Sequence, residues 1–275
     1  PIFPYQYAHG RRVSCDRFSE IAESEYVLNA ISYGWWTDKL YAVNDPDHLV
    51  MCKQNNGAKE TMGENRARAT SGMVTGAYIF GDNFCLTGLK DGAKPGYAST
   101  SRKRAIQIMG NADINEYVRN NTGSFMPLRG DNPSQSQQAE CIFVRDTKQY
   151  FYIAILNYNK TNSMTGNVSF SQMGINPDEV SEIKELWLNK KVEYDQSSIT
   201  YNIPAKDARV YRITKNSYLS ITGTQAEESA IEVSFPDRQT CNITAHKEIR
   251  NTTIYSANGT VIAQKENCAG EEVSI

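Results

Sequence analysis

Up to residue 118 the hydrophobic positions of this chain switch between two periods, and beyond it they keep mainly to one. Residues Ile2 to Ala8 form a short apolar run that predicts a buried strand, followed by a loop over Ser14 to Arg17. Helical spacing then runs through Phe18, Ile21, Ala22, Tyr26, Leu28 and Ala30. Leu40 to Val43 is the next short apolar run, and Asn44-Asp45-Pro46 stops it, because proline lacks an amide donor and restricts its predecessor. Lys59 to Val74 predicts a helix and Gly76 to Phe80 a strand, closed by Gly81-Asp82-Asn83. Ser101 to Met109, with Arg102-Lys103-Arg104, predicts a further helix. Strand, loop and helix thus recur three times, with polar residues gathered just after each strand. That order suits the closing part of a (β/α)8 barrel, a fold in which the loops after the strands hold the chemistry.

Asn120 to Gln138 is rich in Asn, Gly, Ser, Pro and Gln, the composition of a boundary. Strand patterns follow. Cys141 to Val144 and Tyr150 to Leu156, joined through Asp146-Thr147-Lys148, predict a hairpin. Val168 to Phe170, Ile183 to Leu188, Lys191 to Tyr194, Ile199 to Ile203 and Ala208 to Ile213 continue with alternating faces, which predicts an antiparallel β-sandwich. Composition changes again over Lys215 to Glu228. The tail holds Ile231 to Phe235, Ile243 to Ala245, Ile249 to Tyr255 and Thr260 to Ala263, with Asn258-Gly259 as a two-residue hairpin signal and no closing strand before Ile275. The expected fold class is therefore α/β plus all-β: 1–118 as the last part of a barrel, 119–214 as a sandwich and 215–275 as a small accessory β module.

Composition narrows the function. The net charge of −2 leaves no basic excess to neutralise phosphates, so nucleic acid is not an expected partner. No apolar run approaches the ~20 residues of a membrane-spanning helix. The 6 cysteines (15, 52, 85, 141, 241 and 268) lack CxxC spacing or a neighbouring histidine pair, which argues against zinc; Cys241 and Cys268 bracket a short β segment and can pair under oxidising conditions. Only 3 histidines are present, and His9 reads first as a packing or hydrogen-bonding residue. The chain opens on Pro1-Ile2-Phe3-Pro4-Tyr5 with neither a start methionine nor a basic-then-apolar leader, and reads as the middle of a longer protein.

Three weak motifs gain weight together. Arg12-x-x-x-Asp16 places a guanidinium beside a carboxyl group, which can donate a proton to a sugar oxygen but equally can form a plain salt bridge. Trp35-Trp36 offers a sugar-stacking face or a core pair, and Asn44-Asp45-Pro46-Asp47 offers hydroxyl acceptors or a tight turn. All three fall at or near strand ends of consecutive α/β units.

In that order and spacing the motifs resemble the later half of an α-galactosidase of glycoside hydrolase family 27, the melibiase group. The resemblance continues through Glu64 to Val74, the Gly81-Asp82-Asn83 strand end, Phe125-Met126-Pro127-Leu128-Arg129-Gly130 and Ile153 to Tyr158, covering about residues 1–214. It implies a retaining double displacement with Asp16 as general acid/base, Arg12 holding sugar hydroxyls, Asp47 at the rim of the galactose pocket and Asp45 bracing the loop. Trp36 would wall the leaving-group side. His48 stands where the family typically carries an apolar residue, which changes the pocket. The family's nucleophile, an aspartate at a Lys-Tyr-Asp strand end, lies well upstream and has no counterpart here.

The expectation is therefore a fragment of a glycosidase with little activity alone, acting on a carbohydrate substrate with no metal or organic cofactor. The same scaffold admits an α-N-acetylgalactosaminidase or a β-L-arabinopyranosidase, and a non-catalytic carbohydrate-binding protein is the alternative of another class. Residues 249–264 look similar to β modules appended to secreted glycan-degrading enzymes, which implies a secreted or periplasmic location.

Overall fold

The structure is a computed structural model that describes residues 6–51, 60–81, 97–120, 123–128, 139–195, 197–216, 231–234, 242–245, 251–255, 261–266 and 272–274. Its contacts divide the chain into two compact units, Pro1–Asn216 and Ser217–Ile275.

In the first unit, β1 (Gly10–Arg12) pairs in parallel with β2 (Val43–Asp45), bringing Arg12 opposite Asp45. A parallel pair needs a crossover, and α1 (Ile21–Gly34) supplies it, passing into a 3-10 turn over Trp35–Lys39. Residues 2–5 of the strand expected at Ile2 to Ala8 lie outside the described residues; the partner of β2 is the polar Gly10-Arg11-Arg12, a strand that hydrophobicity alone does not reveal. Past β2, Leu49 bridges Phe80 in parallel, so the segment expected as a third strand joins the same direction.

Between these two lies α2 (Met62–Thr75). Thr61 starts it with a capping box, accepting from the Glu64 amide at 3.1 Å while Glu64 Oε2 accepts from the Thr61 amide at 2.8 Å. Glu64 Oε1 also accepts from the Ile21 amide at 3.3 Å, so one carboxylate ties the starts of α1 and α2 together. Gly76, at φ 93°, ends the helix in the left-handed conformation that glycine adopts without a steric penalty. Two further helices follow, α3 (Tyr97–Met109) and α4 (Ala112–Asn120). The second was not expected; its apolar positions are few, and it starts on Asn111 Oδ1 accepting from the Ile114 amide at 3.0 Å.

The antiparallel sheet comprises β3 (Met126–Pro127), β4 (Ile142–Asp146), β5 (Tyr150–Asn157), β7 (Val180–Glu185), β8 (Lys190–Lys191) and β10 (Asp207–Lys215), in spatial order β3-β4-β5-β10-β7-β8. A second pair, β6 (Met164–Ser169) with β9 (Ser198–Ile203), and the short helix α5 (Phe170–Met173) complete this part. The two-residue period of β5 assigns its faces. Tyr152, Ala154 and Leu156 pack with Leu28, Ile31, Met73 and Tyr117 of the helices. Phe151, Ile153 and Ile155 pack with Val168, Ile199 and Ile203 of the second pair and Phe170 of α5. The sheet is therefore covered on both sides, by helices on one and by β6, β9 and α5 on the other.

In the second unit, β11 (Ile231–Ser234), β12 (Asn242–Ala245) and β15 (Glu272–Ser274) form an antiparallel three-stranded sheet, so a closing strand does exist. Strands β13 (Asn251–Tyr255) and β14 (Val261–Glu266) pair antiparallel across the predicted hairpin. The Asn258-Gly259 turn and both Cys241 and Cys268 lie outside the described residues.

Candidate functional site

The ends of β1 and β2 point the same way, and the segments that leave them carry the predicted residues. Asp16 lies one helical turn's spacing beyond Arg12 in the loop after β1; its carboxylate takes a 2.8 Å hydrogen bond from Arg12 Nη1 and is 77% exposed. Arg12 reaches in the other direction as well, its Nη2 pairing with the carboxylate of Asp47, which is only 2% exposed. One guanidinium therefore joins a solvent-facing acid to a buried one. Asp47 also accepts from the Arg17 amide, and its Oδ1 stands 2.9 Å from His48 Nδ1.

Local sequence explains this loop. Asp45 Oδ1 accepts from the Asp47 amide at 2.7 Å, an Asx turn around Pro46. Asp47 itself has φ 67°, a left-handed value unusual for a residue with a side chain. Burial raises the pKa of Asp45, with Arg12, Arg68 and His48 pulling the other way. His48 stands edge-on to Phe18, with ring centroids 5.9 Å apart, and a Cβ on Gly81 would come within 2.6 Å of its ring, so glycine there makes room for the imidazole.

Arg12, Asp16, Asp47 and His48 are thus brought together. Trp36 is not. Helix α1 carries the chain back from the end of β1 to the beginning of β2, so the turn holding Trp36 lies at the opposite end of the strands, where its indole N–H donates to the Tyr33 carbonyl at 3.1 Å. Asp82 and Asn83 fall outside the described residues.

Sequence reasoning missed Arg68. It sits on α2 with no exposed surface; its Nη2 donates to the carbonyls of Pro46, Asp47 and His48 at 2.9, 3.2 and 3.0 Å, and Nη1 to Ser71 Oγ at 2.8 Å. Burial, the leading cause, pulls its pKa down to about 10. The available signal was an arginine inside a helix whose neighbours Ala67, Ala69 and Gly72 are small enough to pack tightly.

Chemically, the cluster presents one accessible carboxyl, one shared cation and one buried carboxylate already engaged by its neighbours. Among the described residues no group of acids, cysteines and histidines is arranged to hold a metal ion, and no helix is long and apolar enough to cross a membrane.

An accessible acid in the loop after a parallel strand thus lies in the same compact unit as the antiparallel sheet. Residues 142–213 match the family model of the alpha galactosidase C-terminal beta sandwich domain, Melibiase_C, which bears out the resemblance drawn from the motifs. Among solved structures, the chain is similar to a family 27 β-L-arabinopyranosidase from Geobacillus stearothermophilus in complex with arabinose, at 14% identity and a TM-score of 0.56, covering 76% of this chain and 46% of that one. It is also similar to alpha-galactosidase I from Mortierella vinacea, at 14% identity and a TM-score of 0.52, covering 76% and 55%. The chain thus spans about half the length of the solved structures it matches. Among curated proteins, none matches it in sequence.

Proposed function

We propose that this chain carries the acid/base portion of a retaining glycosidase, with Asp16 donating a proton to the leaving oxygen and later taking one from water. The substrate is a terminal α-linked D-galactoside or the corresponding L-arabinopyranoside, sugars that share a hydroxyl pattern and differ by the hydroxymethyl group on C5. The observation that carries this reading is the Arg12 bridge from exposed Asp16 to buried Asp47 at the ends of adjacent parallel strands. Arg12 would hold sugar hydroxyls, Asp47 would fix that guanidinium from its buried side, and His48 would shape the pocket near them.

A double displacement requires a second carboxylate about 5–5.5 Å from the first. Asp47 is a poor nucleophile because it is buried and already accepts from Arg12 and the Arg17 amide. The nucleophile is therefore assigned outside the described residues, and the (β/α)8 barrel that would present it, like a secreted location, remains part of this proposal.

The test is an acid/base diagnosis in the full-length polypeptide carrying residues 1–275. Asp16→Asn should reduce hydrolysis of an unactivated α-galactoside by about 10²–10⁴-fold, the range for a positioned general acid. With an activated aryl glycoside the loss should be smaller, and azide should restore turnover while yielding the glycosyl azide. Unchanged turnover in Asp16→Asn would remove Asp16 from the mechanism; binding of sugar without any turnover would favour a carbohydrate-binding protein.

A further inference from the structure

Arg68 is a fully buried cation that makes no ion pair among the described residues, an expensive arrangement that polar partners must offset. Its Nη2 sits where the carbonyls of Pro46, Asp47 and His48 converge. In an extended chain successive carbonyls point to opposite sides, so three can meet at one atom only when the backbone curls. The left-handed φ of 67° at Asp47 supplies that curl. Three carbonyls facing one another without a donor would repel and leave buried acceptors unsatisfied.

We propose that Arg68 is a positioning residue for the carboxylate–arginine cluster: by clamping these three carbonyls it keeps Asp47 in the left-handed conformation that delivers its carboxylate to Arg12. Asp47 in turn restrains the guanidinium that Asp16 shares. Arg68 touches neither Arg12 nor Asp16 in this scheme and acts only through the 46–48 backbone. The charged groups around Asp47 are Arg12 from β1, Arg17 and Glu23 from the β1–α1 connection and α1, Asp45 and His48 from its own loop, and Arg68 from α2. Arg17 is itself paired with Glu23 at 3.0 Å, so it offers Asp47 its amide, and the side-chain groups on that carboxylate are Arg12 and His48 Nδ1. The assignment of a catalytic purpose to this clamp rests on the glycosidase reading above.

The experiment is nitrogen-detected NMR of the Arg12 guanidinium in the full 275-residue chain, comparing Arg68→Met and Arg68→Lys with the unaltered protein. Arg68→Met should raise the rotation rate of the Arg12 guanidinium by about tenfold or more, the scale expected when a charge-assisted hydrogen bond is lost. Arg68→Lys should retain most of the restraint, because an ammonium brings three protons to three carbonyls. Amide spectra of β5 and β10 report that the sheet is intact in each variant. An unchanged Arg12 signal in folded Arg68→Met overturns the proposal, and so does a folded Arg68→Lys as loose as Arg68→Met. Should Arg68→Met not fold, Arg68→Gln keeps a neutral donor and reads the same signal. If no neutral variant folds, a loosened Arg12 in a second probe, Asp47→Asn combined with Arg68→Lys, supports the route through Asp47, and an unaltered Arg12 there overturns it. The Asp16→Asn assay in the full-length polypeptide separates the two readings: an Arg12 signal that follows Arg68, with turnover unchanged in Asp16→Asn, upholds the clamp and counts against the glycosidase alone.

Discussion

The sheet around β5 and β10 and the loops around Arg12 and Asp47 build order by different means. Along β5, from Phe151 to Asn157, every side chain is buried, and alternate residues serve two separate apolar clusters. In the loop region the strands are only three residues long, and directed polar contacts hold the positions: an Asx turn at Asp45, a left-handed Asp47 and the Arg68 clamp. Apolar burial tolerates small shifts because it has no direction, whereas hydrogen bonds weaken steeply with angle. Apolar burial is therefore concentrated in the sheet, and directed side-chain placement in the loops.

The sharpest way to break that comparison is Phe143→Ala on β4. Phe143 has no exposed surface and packs against the helix-facing cluster, so its truncation should cost about 3–5 kcal/mol in urea unfolding. A loss below 1 kcal/mol would show that the sheet does not dominate stability.

A smaller effect is expected where charge ties a helix to the sheet. Asp113 of α4 holds Lys184 of β7 and Arg212 of β10, each at 2.8 Å. Burial acts to raise its pKa, but the hydrogen bond from Lys184 and the charge of Arg212 outweigh it, and the net shift is downward. A depressed carboxyl contributes stability that is present above its unfolded value of 3.8 and is lost as pH falls through the folded one. Asp113→Asn should therefore be less stable than the parent near neutral pH and converge with it in acid below pH 3.8, in paired urea titrations. A gap that widened on acidification would reverse the sign of this linkage.

Least of all should stability respond to Asp16→Ala. Its carboxylate is 77% exposed, and a pair of that kind contributes little, so the midpoint of unfolding should move by no more than about 0.5 kcal/mol. A larger loss would make Asp16 part of the scaffold and erase the contrast between the two regions.

Much of the sheet was legible from alternation alone. The hairpin of β4 and β5, and the strands β9 and β10, fall within a few residues of the predicted segments, because a strand buried on one or both faces shows its period in the chain. Helix α1 was expected at Phe18 and begins at Ile21, since its start depends on a hydrogen bond from Ile21 to Glu64, 43 residues away. That Arg12, Asp16 and Asp47 sit in loops after strands was readable from short motifs, whereas a role for them, and His48 altogether, came only with the family resemblance. Trp36 was misplaced because proximity in sequence says nothing about which end of a parallel crossover a residue occupies.

What the amino-acid sequence determined by itself is the local grammar: apolar period, capping box, turn residues and the acid four places after an arginine. Only the tertiary structure decided that Arg12 is shared between two carboxylates, that Asp47 is buried in a left-handed turn, and that a distant arginine from α2 fills the ring of carbonyls beneath it. The reason is physical. Periods and caps arise from interactions within a few residues, while sharing, burial and convergence depend on distances in space between segments that the chain keeps far apart.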